Sequence, residues 1–341
     1  MPSSRTPRAL NEPRFLQQPS GPFSETWYVV ASEPTAGIGV WLRYVVDRDA
    51  SGQLAPSLWG AFFDRTDPRR TFALKNLLPA AAISRTEQSL KFGVAALEEE
   101  GCKGEVEGGG HSLRWRLAWE SRAIGEKVIP GFLAPVARLR GSGFVLPHPA
   151  IELTGALEVD GKLLDLRAAP GSQAHLWGKK RWPAWAWGRC SAFADEPEAA
   201  LELLSVQLPQ GPFVPLFSLR YRGVLHRFAE APWIALSRSA VASPSWHFSA
   251  EDSTLAIDGV LHASSEQFVE VQYQDRPGEL HHCANTEVAE VELRVRSRVF
   301  PGAPWRPEAT LRSLGGACLE FCGPSADARV AKKLIVATAT H

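Results

Sequence analysis

Short stretches in which apolar and polar residues alternate with a period of two recur along this chain, separated by turn-forming residues. Leu113, Trp115, Leu117 and Trp119 share one face of one such stretch, and residues 151–159 alternate in the same way. A period of two is that of a half-buried β-strand. Further strands are expected at 24–32, 40–47 and 58–64. Downstream they are expected at 200–208, 213–221, 224–228, 233–239, 245–248, 255–263, 266–273, 287–299 and 333–338. Residues 89–100 have helical propensity, but Gly93 interrupts them and a β reading is favoured. Spacings of roughly 8–12 residues with turns between, supported by 28 Gly and 26 Pro, point to sandwiches or barrels. No helical crossover is present to connect a parallel sheet. Asp160-Gly161 between two alternating runs is a hairpin signal.

Lys+Arg and Asp+Glu stand at 37 each among 341 residues. Such a balance gives no field to draw in nucleic acid, and no nucleic-acid partner is expected. No run of about 18 apolar residues occurs, so no transmembrane segment is expected. The N-terminal residues lack the apolar stretch of a signal peptide, and the five Cys are scattered. Free thiols and a cytoplasmic location are therefore expected. Residues 1–22, with Pro at 2, 7, 13, 19 and 22, read as a mobile arm. Residues 121–150 carry Pro130, Pro135, Pro147 and Pro149 and read as a covering loop with at most a short helix.

Tryptophan is abundant, with 12 in the chain, and four of these fall between His175 and Phe193: Trp177, Trp182, Trp185 and Trp187. In W-A-W-G-R-C-S-A-F, Trp185, Trp187 and Arg189 alternate with Ala186 and Gly188, so an extended strand carries large rings on one face and small residues on the other. Such rings either fill a core or wall a binding cavity. A weak echo, Trp27 to Ser32 against Trp185 to Ser191, suggests two β modules in tandem. Residues 23–165 form the first and 166–341 the second.

G-S-Q-A-H-L-W-G at Gly171–Gly178, followed by W-A-W-G-R-C-S-A-F, resembles the tocopherol cyclase and hydroxyneurosporene synthase (carotenoid hydratase) superfamily. S-E-T-W-Y near the start is similar to the E-G-W-Y of that superfamily, with Thr26 in place of Gly. The resemblance implies an all-β fold of two tandem lipocalin-like antiparallel modules with an apolar pocket between or within them. It also implies a hydrophobic, isoprenoid- or polyketide-like small-molecule partner, and cyclases, hydratases or isomerases that need no cofactor. Where the superfamily carries Asn in its Cys-Asn-x-Phe segment, this chain has Ser191, which places that residue's role in question.

Protonating an isolated alkene needs a desolvated acid and a surface that stabilises the cation formed; indole faces provide the second. Trp27, Trp59, Trp177, Trp185 and Trp187, with Ser191 and Phe193, are the candidate ligand-binding residues. Glu25, Asp64 and Asp195 lie beside aromatic residues and are candidate acids, and His175 is the other acid–base candidate because imidazole is the usual side chain for proton transfer near neutral pH. Each has a competing reading as an exposed turn carboxylate or a hydrogen-bonded structural His. A non-catalytic carrier of the same ligands, or a β protein whose core fills itself, are the alternatives to an enzyme. His281-His282-Cys283 with Cys318 and Cys322 has zinc-compatible residue types, but residues four apart in a strand share a face for packing reasons alone, and no metal site is expected. Lys179-Lys180-Arg181 reads as a solvated loop at a pocket mouth.

Overall fold

The structure, a computed structural model, describes residues 6–17, 21–139, 141–276 and 279–338. It is nearly all β, with the described strands in two sheets that are antiparallel except where β23 joins β4 in parallel. The first half supplies β1 (Phe23–Glu33), β2 (Ile38–Arg48), β3 (Leu54–Asp64), β4 (Phe72–Leu77), β5 (Ile83–Arg85), β6 (Ser89–Phe92), β7 (Ala95–Glu98), β8 (Gly101–Gly108), β9 (His111–Ser121), β10 (Glu126–Lys127), β11 (Gly143–Val159) and β12 (Lys162–Gly178). The second supplies β13 (Trp185–Cys190), β14 (Ala200–Gln207), β15 (Phe213–Tyr221), β16 (Val224–Arg227), β17 (Arg238–Ala242), β18 (Ser245–Glu251), β19 (Leu255–His262), β20 (Val269–Arg276), β21 (Glu279–Ser297), β22 (Arg306–Gly323) and β23 (Ile335–Thr338).

The first sheet runs β23-β4-β3-β2-β1-β12-β11-β9-β8-β7-β6-β5, with β10 on β11; the second runs β16-β15-β14-β13-β22-β21-β19-β18-β17, with β20 on β21. The tandem lipocalin-like β architecture expected from the sequence is met. Each sheet curls over a core of its own. In the first, Trp115 Nε1 donates to the Tyr44 hydroxyl at 2.9 Å, and that hydroxyl donates to the Lys103 carbonyl at 2.8 Å, so opposite walls meet through filled space. In the second, Phe217 packs edge-on against Trp246 and Phe248. A third apolar cluster, including Tyr28, Trp41, Trp59, Trp187 and Val271, lies between the sheets.

Alternation decides which residues go where. On β1, Trp27, Val29 and Ala31 enter the first sheet's own core, while Tyr28 and Val30 face the second sheet. On β13, Trp187 faces the first sheet, while Ala186 enters the second sheet's own core. Gly188 is on that inner side as well, where an added Cβ would stand 3.1 Å from Leu261 and 3.3 Å from Trp246. The small residues of W-A-W-G thus make room for Trp246, and the large ones point into the space between sheets.

Several local expectations hold. Asp160 and Gly161, at φ 49° and 76°, turn β11 into β12. Gly93, at φ 65°, turns β6 into β7, so the ambiguous 89–100 stretch is a hairpin rather than a helix. Segment 121–150 is a partial correction: it holds the short helices Gly131–Leu133 and Ala134–Leu139, but its end is the start of β11. Pro147 and Pro149 fit there because the pairing with β12 shifts register on either side of His148.

Other expectations change. Residues Trp233–Leu236 form a 3-10 turn rather than a strand, directly after Pro232. No strand was expected at 306–323, where β22 runs; Gly315, at φ 80°, and Gly316 interrupt its alternation. The division placed at 165/166 falls inside β12, which pairs with β1 and β11 as far as Gly178; we divide the sheets at the 179–184 connection. The N-terminal arm is not free: Leu10 and Phe15 are buried against the first sheet. Residues 1–5 and 18–20 of that arm lie outside the described residues. Cys283 and Cys322, opposite each other on β21 and β22, form a disulfide, which corrects the expectation of free thiols there. Cys102, Cys190 and Cys318 are free and buried. Among the described residues no helix is long and apolar enough to cross a membrane, and no group of three or more potential metal ligands occurs.

Candidate functional site

A cavity of about 810 Å³ opens between the two sheets. That volume lies within the range of small-molecule sites. Trp59 from β3 and Trp185 and Trp187 from β13 form part of its wall, and Trp177 borders it. Leu133, Val136 and Ala137 of the Pro-rich segment contribute to its lining, so that segment covers the cavity as expected. Arg181 from the 179–184 connection lines it too, and donates to the Ser24 hydroxyl at 3.1 Å.

Three of the candidate ligand-binding residues lie elsewhere. Trp27 is fully buried in the first sheet's core and Phe193 in the second's. Ser191 points its hydroxyl at the Gly171 carbonyl, 3.4 Å away, between the modules.

None of the four candidate acid–base residues reaches the cavity. Glu25 shares its side of β1 with Trp27, two residues on. Its carboxylate accepts the backbone N–H of Arg14 at 2.7 Å and of Phe15 at 2.6 Å, and meets His175 Nε2 at 2.7 Å. The other ring nitrogen of His175 donates to the Leu10 carbonyl at 2.7 Å, and Trp27 stacks on the imidazole at 4.6 Å. This network fastens the N-terminal segment to the first sheet. Asp64 caps its own turn, accepting from Thr66, Asp67 and Arg70. Asp195 is exposed in a loop.

The polar groups that do face the cavity come from strands whose sequence gave no functional signal. Glu320 on β22 is buried; its carboxylate accepts from Trp185 Nε1 at 2.5 Å and from Asn285 Nδ2 at 3.5 Å. Burial pushes this carboxyl up from the ordinary glutamate range, and Trp185, Arg43 and Asn285 pull it only part of the way back. Arg43 on β2 is enclosed by rings, with its guanidinium carbon 4.7 Å from the Trp41 centroid, 5.0 Å from Trp59 and 4.9 Å from Tyr273. It donates to the Tyr273 hydroxyl and, at 3.4 Å, to Thr26 Oγ1. Burial drives the Tyr273 phenol well above its usual range, so it stays protonated. Lys75 on β4 places Nζ 4.5 Å from the Trp59 ring, and burial lowers its ammonium from the ordinary value. The only signal in the sequence was parity: Tyr28, Arg43, Trp59 and Lys75 each sit on the outward side of their strand, and pairing sets them directly opposite one another.

The cavity therefore combines indole walls, a protonatable buried carboxyl and cations. Residues 148–312 match the tocopherol cyclase-like family. The matched span holds the His175–Phe193 motif and ends within β22, before Glu320. An uncharacterized protein found in two strains of Mycobacterium tuberculosis is 22% identical over 281 residues, covering 80% of this chain and 82% of its own. Among solved structures, an AttH-like protein from Nitrosomonas europaea superposes with a TM-score of 0.54 at 12% identity, covering 88% of this chain and 92% of its own. Kievitone hydratase from Nectria haematococca gives a TM-score of 0.53 at 10% identity, covering 93% and 92%. The family match covers the end of the first sheet and most of the second, and the likeness to the two solved structures extends the shared all-β fold across both sheets.

Proposed function

We propose that the inter-sheet cavity binds a hydrophobic small molecule of isoprenoid or polyketide type, and that Glu320 protonates an alkene in it, giving a cofactor-independent hydratase or cyclase. The observation that carries this reading is a buried carboxyl with raised proton affinity, hydrogen-bonded to an indole in the wall of a cavity large enough for such a substrate. The tocopherol cyclase-like match and the likeness to kievitone hydratase support the reaction class.

The steps balance without a co-reactant other than water. The Glu320 carboxyl gives its proton to the less substituted alkene carbon as the π pair forms the new C–H bond. The tertiary cation left behind faces Trp59, Trp185 and Trp187, whose ring quadrupoles favour positive charge. Water or a substrate hydroxyl then adds to the cation, and the proton it sheds returns to the Glu320 carboxylate.

Purified protein incubated with a panel of prenylated phenols tests this by mass spectrometry. Hydration adds the mass of water, and cyclisation leaves the mass unchanged with a new retention time. Glu320→Gln is expected to lower turnover roughly 100-fold or more. Full turnover by that variant would remove Glu320 as the acid, and binding without turnover by the wild type would leave a carrier.

A further inference from the structure

Arg43, Trp59 and Lys75 form a row across three neighbouring strands on the cavity face, each directly opposite the next. Both cations approach the same indole, Arg43 at 5.0 Å and Lys75 at 4.5 Å from its ring. Arg43 is 5% exposed. Its hydrogen-bond partners are two neutral hydroxyls, and its Nε is buried without an acceptor. Lys75 Nζ has no hydrogen-bond or ion-pair partner among the described residues. Removing a cation from water without an anionic partner is costly, and ring faces compensate only in part.

The acidic groups that also border the cavity do not supply the missing charge. Glu270 accepts from His282 at 2.8 Å and Glu320 from Trp185 at 2.5 Å, and neither comes within ion-pair distance of Arg43 or Lys75. Asp47 attracts Lys75 only from beyond that distance. Away from this row the lining changes character: Leu204, Val206 and Leu216 pack with Leu133, and Trp185 touches both this aliphatic group and the aromatic one. The cavity therefore has a cationic end and an apolar end.

Resting on the reading of the cavity as a ligand site, we infer that its ligand is an amphiphilic carboxylate, with the anionic head at Lys75 and Arg43 beside Trp59 and the hydrocarbon body along Trp185, Leu204 and Leu216. A carboxylate accepts from both cations and removes their shared deficit, whereas an alcohol of equal length leaves both charges unpaired.

Retinoic acid and retinol make a matched pair of probes, alike except at the head group, and their binding to the full chain is read by quenching of tryptophan emission. Wild type is expected to bind the acid roughly tenfold or more tightly than the alcohol. Lys75→Met is expected to weaken the acid alone and bring the two affinities together, while Lys75→Arg keeps the preference. Equal affinities in wild type, or an undiminished preference in Lys75→Met, would overturn the carboxylate inference and leave the cavity reading intact. Failure of both probes to bind wild type would overturn the two together.

Discussion

At the residue scale, the carboxylates divide into those that hold the fold and those that face the cavity, and their position on a strand decides which. Glu25 and His175 belong to the segments that carry the family resemblance, yet they bond Leu10, Arg14 and Phe15 and line no cavity. Removing one member of a fully buried pair leaves the other uncompensated, so Glu25→Gln is expected to cost on the order of 3 kcal/mol, seen as a lower urea midpoint, with ligand affinity unchanged. An unchanged midpoint would contradict the structural role. Glu287 provides a pH test. Burial raises its carboxyl to about 8, with the Cys318 thiol and Arg189 pulling it part of the way back. A carboxyl raised in the folded state binds its proton more tightly there than in the unfolded chain, whose Glu titrates near 4.3. Its contribution is therefore complete below about pH 4 and declines as the pH rises toward 8. Subtracting Glu287→Gln melting curves from wild type across that window should leave a difference that falls with pH, and a flat difference would refute it. Sequence showed Glu25 as a carboxylate beside Trp27; it carried no mark of which side of the sheet that carboxylate would occupy.

Among elements, the strands were legible wherever alternation was unbroken and turn chemistry was explicit. Asp160-Gly161 and Gly93 fixed two hairpins through backbone conformations that favour glycine. Strand β22 was harder to read because Gly315 and Gly316 interrupt its alternation, and Glu320 was lost with it. The disulfide shows the same limit from another direction: Cys283 and Cys322 are 39 residues apart in sequence, and only the pairing of β21 with β22 brings them face to face. Thiol titration of the denatured, unreduced protein should find three reactive cysteines, rising to five after reduction. Five before reduction would exclude the bridge. Because Trp185 pairs opposite Cys322, this bridge also braces the strand next to the cavity wall.

On the scale of the whole molecule, the space between the sheets is apolar on both sides, which makes the two halves interdependent. Residues 1–178 expressed alone would expose Tyr28, Trp41, Trp59 and Phe63, and would lose the C-terminal strand β23 that pairs in parallel with β4. That fragment is expected to aggregate or to bind more hydrophobic dye than the full chain; a monodisperse fragment that binds no more dye than the full chain would refute the dependence. The sequence by itself determined the β class, the tandem arrangement and the outward projection of Trp185 and Trp187, because strand periodicity and turn chemistry act over a few neighbouring residues. Only the tertiary structure decided that the cavity lies between the sheets, that Glu320, Arg43 and Lys75 face it, and that Glu25 and His175 do not. Those outcomes depend on which strands pair and in what register, and pairing joins residues as distant in the chain as Trp27 and His175 or Trp185 and Cys322.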